Sequence, residues 1–190
     1  TRPGVYTLLC SLHPEMVEML RMSREAGIRR LTVSTNGIKL CDESYVKALA
    51  AVAARVVLSL GTFDPATDKV LLGANTVELK LGVLELLEKH DVTTTILPAV
   101  AAGLNDRDLP RLLELLLDKP NICSLEVHTL SFTGQGGYGF DRCRRMTIPD
   151  VHRVLEEATA GRIGRRDFVP SPLAHHHCYS ICYLLLLDGG

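Results

Sequence analysis

Arg30-Leu31-Thr32-Val33-Ser34-Thr35-Asn36-Gly37 is the stretch that sets the reading of this chain: a strand over Arg30–Ser34 closed by an Asn-Gly turn. Before it, Pro14 to Ala26 reads as a helix. Proline suits the first turn, Met16, Val17 and Leu20 share a face, and Gly27 supplies a left-handed stop. After it, Asp42 caps a helix expected to run through Ala54, with Val46, Leu49, Ala50 and Ala53 on one face. The pattern repeats outward from there. Val56–Leu60 is a short apolar strand, and Asn75 with Glu78 resembles a capping box for a helix ending near His90. Thr93–Leu97 is a β-branched strand, and Asp108 caps a helix carrying Leu109, Leu112, Leu113 and Leu116. Ser124–Leu130 is a further strand, and Thr147, Pro149 and Asp150 open a last helix through Thr159.

Alternating helices and strands, with strands apolar on both faces, predict an α/β fold with a parallel sheet. A doubly wound sheet and a (β/α) barrel both satisfy the pattern. The 190 residues are enough for one sizeable core, so a single domain over 1–190 is expected, with 162–190 as a His/Cys-containing extension.

Charge is balanced, at 21 basic against 22 acidic residues, which gives no footprint for nucleic acid. No charged and then apolar leader opens the chain, so the expected location is cytoplasmic. The apolar run Tyr183–Leu187 is far shorter than the roughly 20 residues a membrane span requires. Six cysteines occur, and only Cys178 and Cys182 are close enough together to suggest a site. With His175, His176 and His177 beside them, they are candidate ligands for zinc or an iron–sulfur cluster. The alternative is a chance histidine run beside two buried cysteines.

In parallel α/β folds ligands bind at the carboxyl ends of the strands. Those ends read Ser34-Thr35-Asn36-Gly37, then Ser59, Gly61, Thr62 and Asp64, then Gly103, Asn105 and Asp106, then His128, Thr129, Ser131 and Thr133. All are polar and small, as a polar ligand needs, although strand ends also need polar groups to satisfy freed backbone. Gly134–Gly137 reads as a surface loop, since it lacks the helix and Lys-Ser or Lys-Thr of a phosphate-binding loop. His13, His90 and His152 read as helix-surface or capping residues. His128 reads as a hydrogen-bonded core histidine, with a catalytic role as the alternative.

These strand ends resemble a known family. Thr32 to Gly37 is similar to the third-strand motif of radical S-adenosylmethionine (radical SAM) enzymes. Val57-Leu58-Ser59-Leu60 followed by Asp64 is similar to the fourth strand, Val100 through Asn105-Asp106 resembles the fifth, and Leu12-His13-Pro14-Glu15 resembles the segment after the Gly-Gly-Glu-Pro turn. Thr147-Ile148-Pro149-Asp150, Glu156 to Thr159, and Asp167 to Pro170 through Cys178 resemble the tetraether lipid synthase and pterin-methylase-like branch. The resemblance implies a partial (β/α) barrel truncated at its amino-terminal end. It implies S-adenosylmethionine and a [4Fe-4S] cluster as cofactors, a lipid-like or pterin-like substrate, radical hydrogen abstraction, and an electron-donor protein as partner. It places Ser34, Asn36, Ser59 and Asn105 at strand ends that contact S-adenosylmethionine, while Cys178 and Cys182 remain metal-ligand candidates by their spacing alone. The chain departs from the pattern in several places, Leu173-Ala174 in place of an expected cysteine among them. It has no Cys-x3-Cys-x2-Cys loop, Thr7 to Ser11 replaces the Gly-Gly-Glu-Pro turn, and Gly61 stands where aspartate is common. A non-catalytic barrel-derived binding domain and a small Cys/His metal-binding protein are the alternatives the residues leave open.

Overall fold

The structure is a computed structural model, and it describes residues 5–8, 15–131, 141, 143, 145–171 and 178–186. Among these, five parallel strands form one sheet in the order β1 (Val5–Leu8), β2 (Arg30–Thr35), β3 (Arg55–Leu58), β4 (Thr94–Ile96), β6 (Ile122–Leu125). Sequential parallel neighbours joined by helices make a partial barrel and not a doubly wound sheet, because the strand order never reverses. The residues before the first expected helix supply β1, which the sequence reading left unplaced.

The ladder continues past β4 and β6 as a second parallel pair, β5 (Ala99–Val100) with β7 (His128–Thr129). Pro98 separates β4 from β5 because it has no N–H to give the ladder, but its carbonyl still accepts from His128 N at 2.9 Å. The single strand expected over Ser124–Leu130 is therefore two pieces, and it begins earlier, at Ile122.

Helices α1 (Met16–Glu25), α2 (Glu43–Ala51), α4 (Val77–Lys89) and α5 (Leu109–Asp118) alternate with the strands. Gly27, at φ 88°, ends α1 as anticipated. Asp42 caps α2 by accepting from Ser44 N at 2.9 Å. That helix stops at Ala51 and not at Ala54, because Ala53 turns left-handed at φ 48° to start β3. The cap of α4 is Thr76; Asn75 instead accepts from Val77 N at 3.3 Å. Asp108 sits at the start of α5 without making a side-chain cap bond. Thr147 and Asp150 form the capping box of α6 (Ile148–Ala158), with Thr147 N 2.9 Å from Asp150 Oδ2.

A helix that the sequence reading omitted, α3 (Pro65–Leu72), lies in the β3–α4 connection. Asp64 caps it by accepting from Thr67 N at 2.8 Å, and Gly73 closes it at φ 78°. The segment after α6 folds back as a short antiparallel pair, β8 (Val169–Pro170) with β9 (Ser180–Ile181).

Side chains alternate along β2, β3 and β4. Leu31, Val33, Thr35, Val56, Leu58, Thr94 and Ile96 are buried, and the apolar ones pack against Leu20, Val46, Leu49, Val83, Leu84 and Leu87 of the helices. Thr32, Ser34, Val57, Ser59, Thr95 and Leu97 on the other face are only half-buried. Helices cover one face, and the described residues of the concave inner face of the open barrel are only partly covered. A second core, around Val100, Leu109, Leu113, Met146, Val151 and Leu155, joins α5 and α6.

Candidate functional site on the concave face

The pairing register places the candidate residues in rows across the inner face. Ser34 aligns with Val57, Val57 with Thr95, and Thr95 with Ser124. One step up, Ser59 N bonds Thr35 O, Leu97 N bonds Leu58 O, and Glu126 N bonds Ile96 O, so Ser59, Leu97 and Glu126 form the next row. Above it, Ala99 aligns with His128. Ser34 and Ser59 therefore sit half-buried on one face at the carboxyl ends of β2 and β3, as the sequence reading expected.

The Asn36-Gly37 turn beside them is firmly built. Gly37 N donates to Thr35 Oγ1 at 3.1 Å, and Ile38 N donates to Asn36 Oδ1 at 3.2 Å. Gly37 has φ 90°, and a Cβ there would lie 2.9 Å from Leu58 Cδ1, so only glycine fits. Asn36 itself is exposed.

Asn105 is fully buried. Its Nδ2 donates to Gly61 O and Ala99 O, both at 2.8 Å, and its Oδ1 accepts from Ala101 N at 2.9 Å. Both donors of the amide are used within the fold, where they bind the end of β3 to β5. The glycine at position 61, where aspartate is common in the resembling family, has a local reason: a Cβ there would lie 3.3 Å from Asn105 Nδ2 and 3.4 Å from Ala99 O.

Beneath the same turns lies a buried ion pair that the sequence reading missed. Lys80 Nζ is 3.6 Å from Asp68 Oδ1, and both side chains are 1% exposed. Asp68 Oδ2 accepts from Thr76 N at 2.6 Å and Thr76 Oγ1 at 2.7 Å, which fixes α3 to the start of α4. Lys80 Nζ has no hydrogen-bond partner among the described residues, and burial pushes its pKa below the ordinary lysine value, against the pull of Asp68.

His128 is not a core residue. Its side chain is 53% exposed, and its Nε2 lies 3.3 Å from Oε1 of Glu126, which is 36% exposed. In a strand, positions two apart share a face, so both project from the concave surface. His152, expected at a helix surface, is buried instead, stacked on Phe168 at 3.9 Å with Nε2 3.1 Å from Ser180 Oγ. Its pKa is lowered by burial and then by Arg165. His90 does end its helix, with Nε2 2.8 Å from Glu43 Oε1.

The carboxy-terminal cysteines flank β9, Cys178 exposed and Cys182 partly buried, and burial followed by Asp167 pushes the Cys182 thiol up. Among the described residues no three His, Cys, Asp or Glu side chains converge on a metal position. His13, His175–His177 and Gly134–Gly137 lie outside the described residues. No described helix is long and apolar enough to cross a membrane. The half-buried serines fit a polar cofactor. Among the described residues none build an iron–sulfur centre, and no Cys-x3-Cys-x2-Cys spacing occurs in these 190 residues.

An open parallel half-barrel with polar strand ends facing its concave side defines a class of α/β protein. The comparisons narrow it: the Radical SAM superfamily model matches residues 10–116, more than half the chain, and the chain belongs to that superfamily. A relative in Methanocaldococcus jannaschii, 7,8-dihydro-6-hydroxymethylpterin dimethyltransferase, is 27% identical over 205 residues, which cover 95% of this chain and 40% of that protein. The chain thus spans about two fifths of that relative's length. Among solved structures, a domain of pyruvate-formate lyase-activating enzyme from Bacteroides vulgatus superposes with a TM-score of 0.62 at 16% identity, covering 85% of this chain and 96% of that one. The enzyme anSMEcpe with bound AdoMet and a Kp18Cys peptide superposes with a TM-score of 0.54 at 16% identity, covering 83% of this chain and 49% of that one. These two likenesses support the partial-barrel fold.

Proposed function

We propose that this chain is the cofactor- and substrate-cradling part of a radical SAM enzyme that modifies a pterin-like small molecule. The observation that carries the reading is the row geometry: Ser34 and Ser59 share the accessible inner face at the carboxyl ends of adjacent parallel strands, with the rigid Asn36-Gly37 turn above them. Membership in the superfamily supports S-adenosylmethionine as the ligand there, and the pterin-modifying relative supports the substrate class. S-adenosylmethionine is the group that supplies the reactive chemistry when bound. In this reading Ser34, Asn36 and Ser59 contact it, and Asn105 acts one step back by holding the Gly61 and Ala99 carbonyls in place. The activity, the substrate and an electron-donor partner of the whole protein belong to the same proposal.

Equilibrium dialysis of S-adenosylmethionine against the chain tests this reading. Saturable binding that weakens about tenfold or more in Ser34→Ala/Ser59→Ala is expected, on the scale of two lost hydrogen bonds. No saturable binding, or binding indifferent to both serines, would remove the site.

A further inference from the structure

The concave face carries polar groups at both of its lateral ends, and the proposed cofactor site uses only one of them. Ser34 and Ser59 lie on β2 and β3. Ser124 on β6, His128 on β7 and Glu126 between them lie two strands away from β3. At the usual strand spacing, Ser59 and Glu126 in the same row stand about 10 Å apart. The floor between them is Leu97, half-buried and apolar. That distance leaves room for a flat ring system beside the proposed cofactor, edge-on to Glu126.

We propose that Glu126, held by His128, recognises the cyclic guanidine-like edge of a 2-amino-4-oxo heterocycle lying across Leu97. This rests on the pterin reading above and deepens it. The chemistry is geometric. A carboxylate presents two oxygens that accept from two parallel N–H donors, as it does with the fork of an arginine. A 2-amino-4-oxo ring offers that same pair, its exocyclic amine and the adjacent ring N–H. An anionic ligand edge would be repelled by Glu126, and an aliphatic chain would offer the carboxylate no donor. His128 Nε2, 3.3 Å from Glu126 Oε1, fixes the carboxylate rotamer and is a positioning residue. The carboxy-terminal segment runs close by: the Tyr179 phenol is pushed up by burial and then by the negative charge of Glu126.

The test uses two fluorescent probes and the 190-residue chain. Pterin carries the 2-amino group; lumazine replaces it with a carbonyl that faces the carboxylate as an acceptor. Wild type is expected to bind pterin about tenfold or more tighter than lumazine, and Glu126→Gln to lose most of that preference while retaining the wild-type circular dichroism spectrum and melting temperature. Glu85→Gln, on the exposed side of α4, serves as the control and is expected to keep the preference. Pterin binding with the preference intact in Glu126→Gln would overturn the role of Glu126 and leave the pterin reading standing. A wild-type chain that binds S-adenosylmethionine but neither probe would overturn the pterin reading itself, and this inference with it.

Discussion

Replacing Asn105 by alanine should cost this fold more than its single side chain suggests. The amide makes three hydrogen bonds, all to backbone groups and all between 2.8 and 2.9 Å. Truncation leaves the Gly61 and Ala99 carbonyls and the Ala101 N–H without those partners at a fully buried position. Each net hydrogen bond of this kind contributes about 1 kcal/mol, so the expected loss is about 3 kcal/mol. Asn105→Asp is the sharper variant. It keeps the acceptor for Ala101 N but turns its other carboxylate oxygen toward two carbonyl oxygens. Such a buried carboxyl has its pKa raised above the unfolded value, so the unfolded chain releases its proton first and stability falls as pH rises through the unfolded value near 4. Urea unfolding at pH 7 and pH 4.5 measures both effects. Asn105→Ala should lose about 3 kcal/mol at either pH, whereas Asn105→Asp should regain stability relative to wild type on acidification. A loss under about 1 kcal/mol in Asn105→Ala, or an aspartate variant with no pH dependence relative to wild type, would refute the latch.

The buried pair gives an asymmetry. Lys80→Met should destabilise the protein less than Asp68→Ala, because Lys80 makes no hydrogen bond among the described residues whereas Asp68 holds Thr76 through two; paired urea titrations check the order. Because burial lowers the Lys80 pKa, the unfolded state binds more protons just below the ordinary lysine value, so wild-type stability relative to Lys80→Met should rise with pH on the alkaline side. Glu43 is held down at about 2, chiefly by its hydrogen bonds to Lys89 and His90. Its contribution is present above the ordinary glutamate value and is lost as pH falls toward 2, and Glu43→Gln should flatten that part of the acid titration. His152 has a lowered pKa, so acidification below its ordinary value should loosen the α6–β8 contact, with faster amide exchange at Val169 in wild type but not in His152→Phe.

The strand-end residues were legible because parallel α/β architecture sends ligands to one end of every strand, and Ser34 and Ser59 needed only the strand positions to be placed. What escaped the sequence reading has recognisable causes. Lys80 reads as a surface lysine by type. Its spacing from Val77, Val83, Leu84 and Leu87 nevertheless puts it on the buried stripe of α4, a signal that was available. His152 is the same case, one position from Val151 and three from Leu155 on α6. Glu126 and His128 alternate with Leu125 and Val127, and that period of two marks a half-exposed strand face; taking His128 singly hid it. The helix α3 carried a cap in Asp64-Pro65 and a stop in Gly73, but its polar run Thr67-Asp68-Lys69 obscured the apolar face. Asn105 was legible as a strand-end residue, but its part in joining β3 to β5 was not, since Gly61 is brought to it only by the fold.

Hydrogen exchange of the chain with and without saturating S-adenosylmethionine tests the central claim most directly. The account predicts slowed exchange at the amides of residues 34–37 and 59–62, with β8 and β9 unchanged. Protection absent from both turns, or confined to the carboxy-terminal segment, would contradict it.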